Sequence, residues 1–296
     1  MSRRSTLLFV VLCILWGVPY LFIRIAVTDV PPATLVFLRT GIGALILFPL
    51  ALARGEVRPA LRHLGPILAY TLAEMAVPWY ALSSAEMRLS SSLSGLLIAA
   101  VPAIGTVISL ALGFERPDRR RTAGILIGIV GVAALVGFNL RAGDTGAFLE
   151  MILVTAGYAV GPLIVARSLA EVPSLGVISV SLAVCALGYA PLGIAEMPRT
   201  LPPSEVLLAV GVLGLFCTAT AFLVAFALIQ SIGPVRMTVV TYVNPAVAVV
   251  LGVLALHESV SPGMVGGFVA ILAGSYLTTR PLKSEERALG EAPSTL

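Results

Sequence analysis

The chain is 296 residues long, 58% hydrophobic and 11% charged, with a mean hydropathy of +1.02. Soluble globular domains carry about 25% charged residues, so the composition excludes that class and moves the whole chain into the membrane. The formal net charge of +4 comes from cations in short loops, with Lys283 the single lysine, and does not indicate nucleic acid.

The first apolar run, 6–27, contains "LLFVVLCILWGVPYLFIRIAV" and is long enough to span a ~30 Å hydrocarbon core. A signal peptide would have a shorter apolar stretch and a small-residue cleavage site. Further runs follow at 32–53, 63–83, 89–113, 121–140, 147–168, 174–195, 204–229, 234–256 and 262–279. Breaks such as "ARGEVRPALRH", "FERPDRRR" and "RAGDTG" separate them. Barrel strands are about 10 residues long and alternate in polarity. Runs of this length satisfy their backbone internally only as helices. The expectation is an all-α integral membrane protein with ten transmembrane helices. Cys13, Cys185 and Cys217 lie inside apolar runs, so neither a disulfide nor a metal site is expected.

Cations concentrate in cytoplasmic loops. With the N-terminus cytoplasmic, fourteen of the nineteen Lys and Arg residues fall on that side, against Arg88, Arg141 and Arg199 on the other. Both termini are therefore expected in the cytoplasm. A shift of 143 residues aligns "VPAIGTVISLALGFERPDRRRTAGILIGIVG" with "NPAVAVVLGVLALHESVSPGMVGGFVAILAG". Pro102 then meets Pro245, Glu115 meets Glu258, Gly124 meets Gly267 and Gly131 meets Gly274; Pro19 also meets Pro162. Each half holds five runs. An odd number makes the second half enter from the opposite side, an inverted repeat of the kind secondary transporters use. The expected units are 1–140, 141–280 and a cytoplasmic tail, 281–296, without fixed structure.

"LWGVPYLFIRIAV", "LVFLRTG", "AAVPAIGTVISLALGFE" and "YVNPAVAVVLGVLALHE", the last two each followed by a Gly-rich helix, resemble the two EamA-type repeats of the drug/metabolite transporter superfamily. The resemblance covers about 5–280 and rests on a Pro-x(12)-Glu-x(8)-Gly pattern present twice. It implies ten helices, an inverted five-plus-five arrangement and export of small metabolites. Within the superfamily, aromatic amino-acid exporters of the YddG type look nearest.

Glu74, in "LAYTLAEMAVPWYAL", is an isolated carboxylate mid-run. A charge at the bilayer centre is costly, so it either holds a proton, faces a wet cavity, or bonds a neighbouring helix. Tyr70 and Pro78 share its helical face, and Pro78 removes a backbone donor. Trp16 and Tyr20 flank Pro19 in the first run. Trp79 and Tyr80 sit near a span end, where aromatics serve equally as interfacial anchors. Tyr158, Phe222 and Tyr242 fall in the second half, and Asn244 offers an amide beside Pro245. Arg39 would snorkel outward, pair with a carboxylate such as Glu74, or receive a carboxylate-bearing substrate. These eleven are the candidate substrate contacts. Pro19, Pro78, Pro102, Pro162 and Pro245 are expected to kink helices. Glu115 and Glu258 end equivalent helices, where anions are repelled, so each should answer to a cation or a helix N-terminus in a structural or gating role. No Walker A sequence, nucleophile–base pair or His/Cys cluster stands out, so no catalytic centre, cofactor or metal is expected. The reading is a secondary transporter for small amphipathic metabolites, most of all amino acids, acting as a monomer in the bilayer. The alternatives are an integral membrane enzyme, which should cluster catalytic groups at one membrane face, and a transporter of other metabolites or drugs.

Overall fold

The computed structural model describes residues 2–113, 118–139, 144–233, 237 and 239–279. Apolar runs become helices in chain order: α1 (Arg3–Ala26), α2 (Pro32–Ala53), α3 (64–85), α4 (Ser91–Ala111), α5 (Arg119–Asn139), α6 (Thr145–Ser168), α7 (Ser174–Ala195), α8 (Ser204–Ile232), α9 (Val240–Leu256) and α10 (Pro262–Thr279). Among the described residues seven helices are long and apolar enough to cross a membrane; α9 and α10 are shorter apolar helices. α3 is interrupted within its own length. Pro31, Pro173 and Pro203 stand at helix starts, where a missing N–H costs nothing. Ser2 and Ser90 cap α1 and α4, accepting from the Ser5 and Leu93 amides at 3.1 and 3.2 Å. Pro19 restarts α1 after Gly17, and the second segment of α4, Val101–Ala111, opens with Pro102 in its first turn.

The packing partners are α1 with α8 and α9, α2 with α7, α3 with α6, α4 with α9, and α5 with α10. Small residues set the closest approach. A Cβ on Gly124 would lie 2.7 Å from the Gly274 carbonyl oxygen, and one on Gly131 would lie 2.7 Å from that of Gly267. Outward-facing Leu45, Leu126, Val130, Leu187 and Leu254 are each more than half exposed. In a membrane chain these form the lipid-facing surface. Glu115 and the segment 281–296 lie outside the described residues.

Candidate functional site

Pro78 has no N–H, so the α-helical bond it would donate to the Glu74 carbonyl is missing. α3 responds by widening into a π-helical segment, Thr71–Ala76, closed by the Val77 N–H on the Leu72 carbonyl. Such segments are rare and cluster at functional sites. Two side chains serve the loosened backbone: the Tyr189 hydroxyl of α7 donates to the Ala76 carbonyl at 2.8 Å, and Thr71 Oγ1 to Ile67 at 2.7 Å. The Glu74 side chain lies against Gly161 of α6, and its Oε2 is enclosed with no hydrogen-bond partner. Gly157, one turn earlier, admits the Ala73 carbonyl and the Pro78 ring.

A second π-helical segment, Leu215–Thr220, interrupts α8. It starts and ends 144 residues after the first. It contains no proline; instead Thr218 Oγ1 donates to the Leu213 carbonyl, five residues back, at 2.8 Å. The hydroxyl thereby turns its oxygen toward α2.

That oxygen accepts from Nε of Arg39 at 2.9 Å. The guanidinium carbon of Arg39 stands 3.8 Å from the centroid of the Trp79 ring. Arg39 thus sits between the two interrupted helices, stacked on one and bonded to the other. It is 6% exposed. Guanidinium carries five N–H donors, and among the described residues only the Nε–H meets a protein acceptor. No carboxylate of the described residues pairs with it, so neither the snorkelling nor the Glu74-pairing expectation for Arg39 holds. Its neighbours are Tyr20, Tyr158, Cys185 and Cys217. Four free donors on a flat, aromatic-backed cation present the geometry of a carboxylate receptor.

Of the sequence candidates, the fold brings Tyr20, Arg39, Trp79 and Tyr158 together, with Glu74 and Tyr70 adjoining them. Phe222 packs against the same apolar cluster as Tyr70 and Trp79; Trp16, Tyr80, Tyr242 and Asn244 have other partners. Trp16 packs against a separate apolar cluster with Leu12, Cys13 and Ala221, and meets Phe222 edge-on at 6.3 Å across its border. Asn244, its amide nitrogen turned toward them, donates to the carbonyls of Cys13 at 3.2 Å and Val240 at 3.0 Å, tying α9 to α1. Tyr242 reaches toward the Ser275 carbonyl of α10 at 3.5 Å. Tyr80 is 40% exposed and stacks on Tyr189. Pro162 and Pro245 lie inside α6 and α9.

Three residues beyond the sequence candidates belong here. Thr218 carries no signal of its own in the sequence; the 143-residue shift that aligns the halves places Cys217, its neighbour, opposite Glu74. Glu86, just past α3, reads in sequence as a solvated loop carboxylate, yet it is fully buried and neither carboxylate oxygen has a hydrogen-bond partner. Arg24 donates to the Glu86 backbone carbonyl, not to its side chain. Beside them Glu258 accepts from Ser91 N, Ser91 Oγ and Ser92 N at 2.8, 3.0 and 2.9 Å. It therefore anchors the end of α9 on the N-terminus of α4, where the helix dipole favours an anion. A cavity of about 700 Å³ opens here, lined by Arg24, Arg88, Asp144, Glu205 and Glu258 among others. A second, of about 490 Å³, opens at the opposite end between Arg4, Ser5 and Gln230. The Arg39 cluster lies in neither lining.

Long apolar helices packed around a buried cation that no carboxylate of the described residues neutralises define a multi-pass membrane protein, and the family of the chain makes it one of the transporter class. The chain belongs to the EamA-like transporter family, which it matches over residues 3–137 and again over 145–280. It is 31% identical to YedA of Escherichia coli strain K12, described as an uncharacterized inner membrane transporter, over 81% of this chain and 79% of that one. It is 24% identical to the uncharacterized transporter YvbV of Bacillus subtilis strain 168, over 97% and 95% of the two chains. A crystal structure of 25% identity superposes with a TM-score of 0.66, covering 97% of this chain and 99% of that one.

Proposed function

We propose that the chain is a secondary transporter of an inner membrane, exporting small amphipathic carboxylates, chiefly amino acids including aromatic ones, by alternating access around Arg39. The observation that carries this is Arg39 itself: a buried guanidinium with four unused donors, held flat by Trp79 and Thr218. A substrate carboxylate completes its coordination, and Tyr20, Tyr158 and Trp79 supply an aromatic wall for an apolar body. A nucleotide sugar would need several cations, and among the described residues Arg39 is the one cation stacked on this aromatic cluster.

Ten spans in an inverted five-plus-five repeat are part of the proposal. In its support, the partner pairs α2–α7, α4–α9 and α5–α10 each join a helix to its counterpart five along, and α1–α8 exchanges with α6–α3. The glycine contacts obey the same exchange. Gly124 faces Gly274, the counterpart of Gly131; Gly131 faces Gly267, the counterpart of Gly124. Cytoplasmic termini follow from the arginine asymmetry, which makes the 700 Å³ cavity the outer mouth. The test is counterflow in proteoliposomes with radiolabelled Phe, Tyr, Trp, Met, Leu, Thr, Glu and UDP-glucose. Uptake of several apolar amino acids is expected. Uptake of Glu or UDP-glucose without any of them would overturn the substrate class.

A further inference from the structure

We propose that Tyr189 is a positioning residue of the Arg39 receptor: its hydroxyl holds the π-helical turn of α3 in the winding that keeps the Trp79 ring under the guanidinium. The inference rests on the reading of Arg39 as a carboxylate receptor.

Trp79 lies just beyond the disturbed part of α3. Pro78 forbids a regular α-helical turn there, since its ring clashes with the preceding turn and it offers no donor. The π-helical segment that takes its place, Thr71–Ala76, pairs the Val77 N–H with the Leu72 carbonyl, five residues back. A shift of one residue in that pairing would turn everything beyond it by about 100°. Trp79 would then leave the guanidinium carbon that now stands 3.8 Å from its ring centroid. A side chain that fixes the winding therefore fixes the cation–π contact. The Tyr189 hydroxyl is placed to do so. It donates at 2.8 Å to the carbonyl of Ala76, the last residue of the segment and one turn before Trp79. The Tyr189 ring stacks on Tyr80, the residue next to Trp79, with centroids 6.0 Å apart and planes 20° apart. Tyr189 thus grips α3 on both sides of Pro78.

Tyr189 serves as a ruler because α7 also carries α2. Thr34 Oγ1 donates to the Gly193 carbonyl at 2.9 Å, and a Cβ on Gly193 would lie 2.7 Å from that of Phe37. Farther along α2, a Cβ on Gly43 would lie 3.2 Å from Leu182 Cδ1. The two helices therefore run antiparallel, and this register sets Tyr189 level with Arg39. Cys185, one turn away on α7, adjoins both Arg39 and Tyr189. Val36, Ala76, Trp79 and Cys185 share one buried apolar cluster, against which the Tyr189 ring packs. α7 thus fixes the height of Arg39 through α2, and the rotation of Trp79 through Tyr189.

Tyr189→Phe removes the hydroxyl and keeps the ring on Tyr80. Wild-type and variant proteoliposomes are compared in counterflow of radiolabelled leucine, with unlabelled leucine and leucinamide, which lacks the carboxylate, as competitors. Loss of the positioning hydrogen bond should cut the preference for leucine over leucinamide by roughly 2- to 10-fold. Leucinamide should compete as before, and the maximal rate should hold. An unchanged preference, or an equal loss for both competitors, would show that Tyr189 does not act on the receptor and would overturn the proposal. A second measurement needs no substrate. Trp16 and Trp79 are the two tryptophans of the chain, so Trp16→Phe leaves Trp79 as the sole indole emitter, and its emission maximum responds to a cation lying over the ring. In that background Arg39→Gln marks the emission without the guanidinium. Tyr189→Phe should move the maximum from the parent's toward that of Arg39→Gln; a maximum equal to the parent's, or moved the other way, refutes the positioning role. If wild type shows no preference for leucine, the receptor reading falls, and the emission alone decides whether Tyr189 positions Trp79.

Discussion

Arg39→Lys keeps the charge and removes the fork. The ammonium cannot replace the Nε bond to Thr218 Oγ1, nor lie flat at 3.8 Å over Trp79. The hydrogen bond is worth about 1 kcal/mol. The stacking, in a desolvated place, is worth about 1–2 kcal/mol more than a point charge retains. Those two contacts hold the fork in place; the substrate carboxylate then loses one of its two charge-assisted hydrogen bonds, about 1.5–3 kcal/mol, which raises the half-saturation concentration roughly 10- to 150-fold. Thr218→Ala removes the hydrogen bond alone and should cost less than about tenfold. The assay is initial-rate counterflow of radiolabelled leucine across a concentration series, with size-exclusion chromatography and thermal unfolding to confirm that each variant is folded. Unchanged half-saturation in a folded Arg39→Lys protein would refute the reasoning, because a carboxylate receptor built on the guanidinium plane cannot be indifferent to its loss.

Gly157→Ala would put a Cβ 2.3 Å from the Ala73 carbonyl oxygen and 2.6 Å from Pro78 Cγ, while Gly105→Ala meets Ala159 at an ordinary 3.7 Å. The first should lower stability by about 1–3 kcal/mol and the second should leave thermal unfolding in detergent unchanged; equal behaviour would contradict the tight α3–α6 contact. Glu74→Gln keeps the shape against Gly161 and removes the charge, and should impair transport while expression stays normal; wild-type transport from mildly acid to mildly alkaline pH would make Glu74 structural. Cysteines placed in the loops at 142–146 and 198–203 should react with an impermeant reagent from outside, and those at 55–61 and 116–121 should not; the reverse pattern would end the assignment of cytoplasmic termini.

The helices were legible because membrane burial writes itself into long apolar runs, and the observed ends fall within a few residues of the expected ones for most spans. Ninth in order, α9 is described from Val240 where the apolar run begins at 234. The interruption of α3 was half legible: Pro78 and Glu74 announce a disturbed helix, though not its π-helical form. The matching interruption of α8 carries no proline and is invisible in "GLFCTATAF" until the two halves are aligned. Arg39 was found as a charge in an apolar run, but its partner Thr218 is 179 residues away and looks like any threonine in a membrane helix. Trp16 and Asn244 misled for the opposite reason. Polar and aromatic side chains mid-span also serve helix packing, and both do so here. Glu86 gives no signal in the sequence, because a loop carboxylate is ordinarily solvated; in the fold it is fully buried, with Arg24 of α1 on its backbone carbonyl.

The central claim is that Arg39 receives a substrate carboxylate, and the most direct measurement replaces that group on the substrate and leaves the protein untouched. Unlabelled leucine and leucinamide, which differ only in whether the carboxyl end carries a charge, are compared as competitors of radiolabelled leucine counterflow in wild-type proteoliposomes and in Arg39→Gln. In wild type, leucine should compete far better than leucinamide, by about 30-fold or more for two charge-assisted hydrogen bonds. The preference should collapse in Arg39→Gln. Equal competition by the two in wild type would contradict the account.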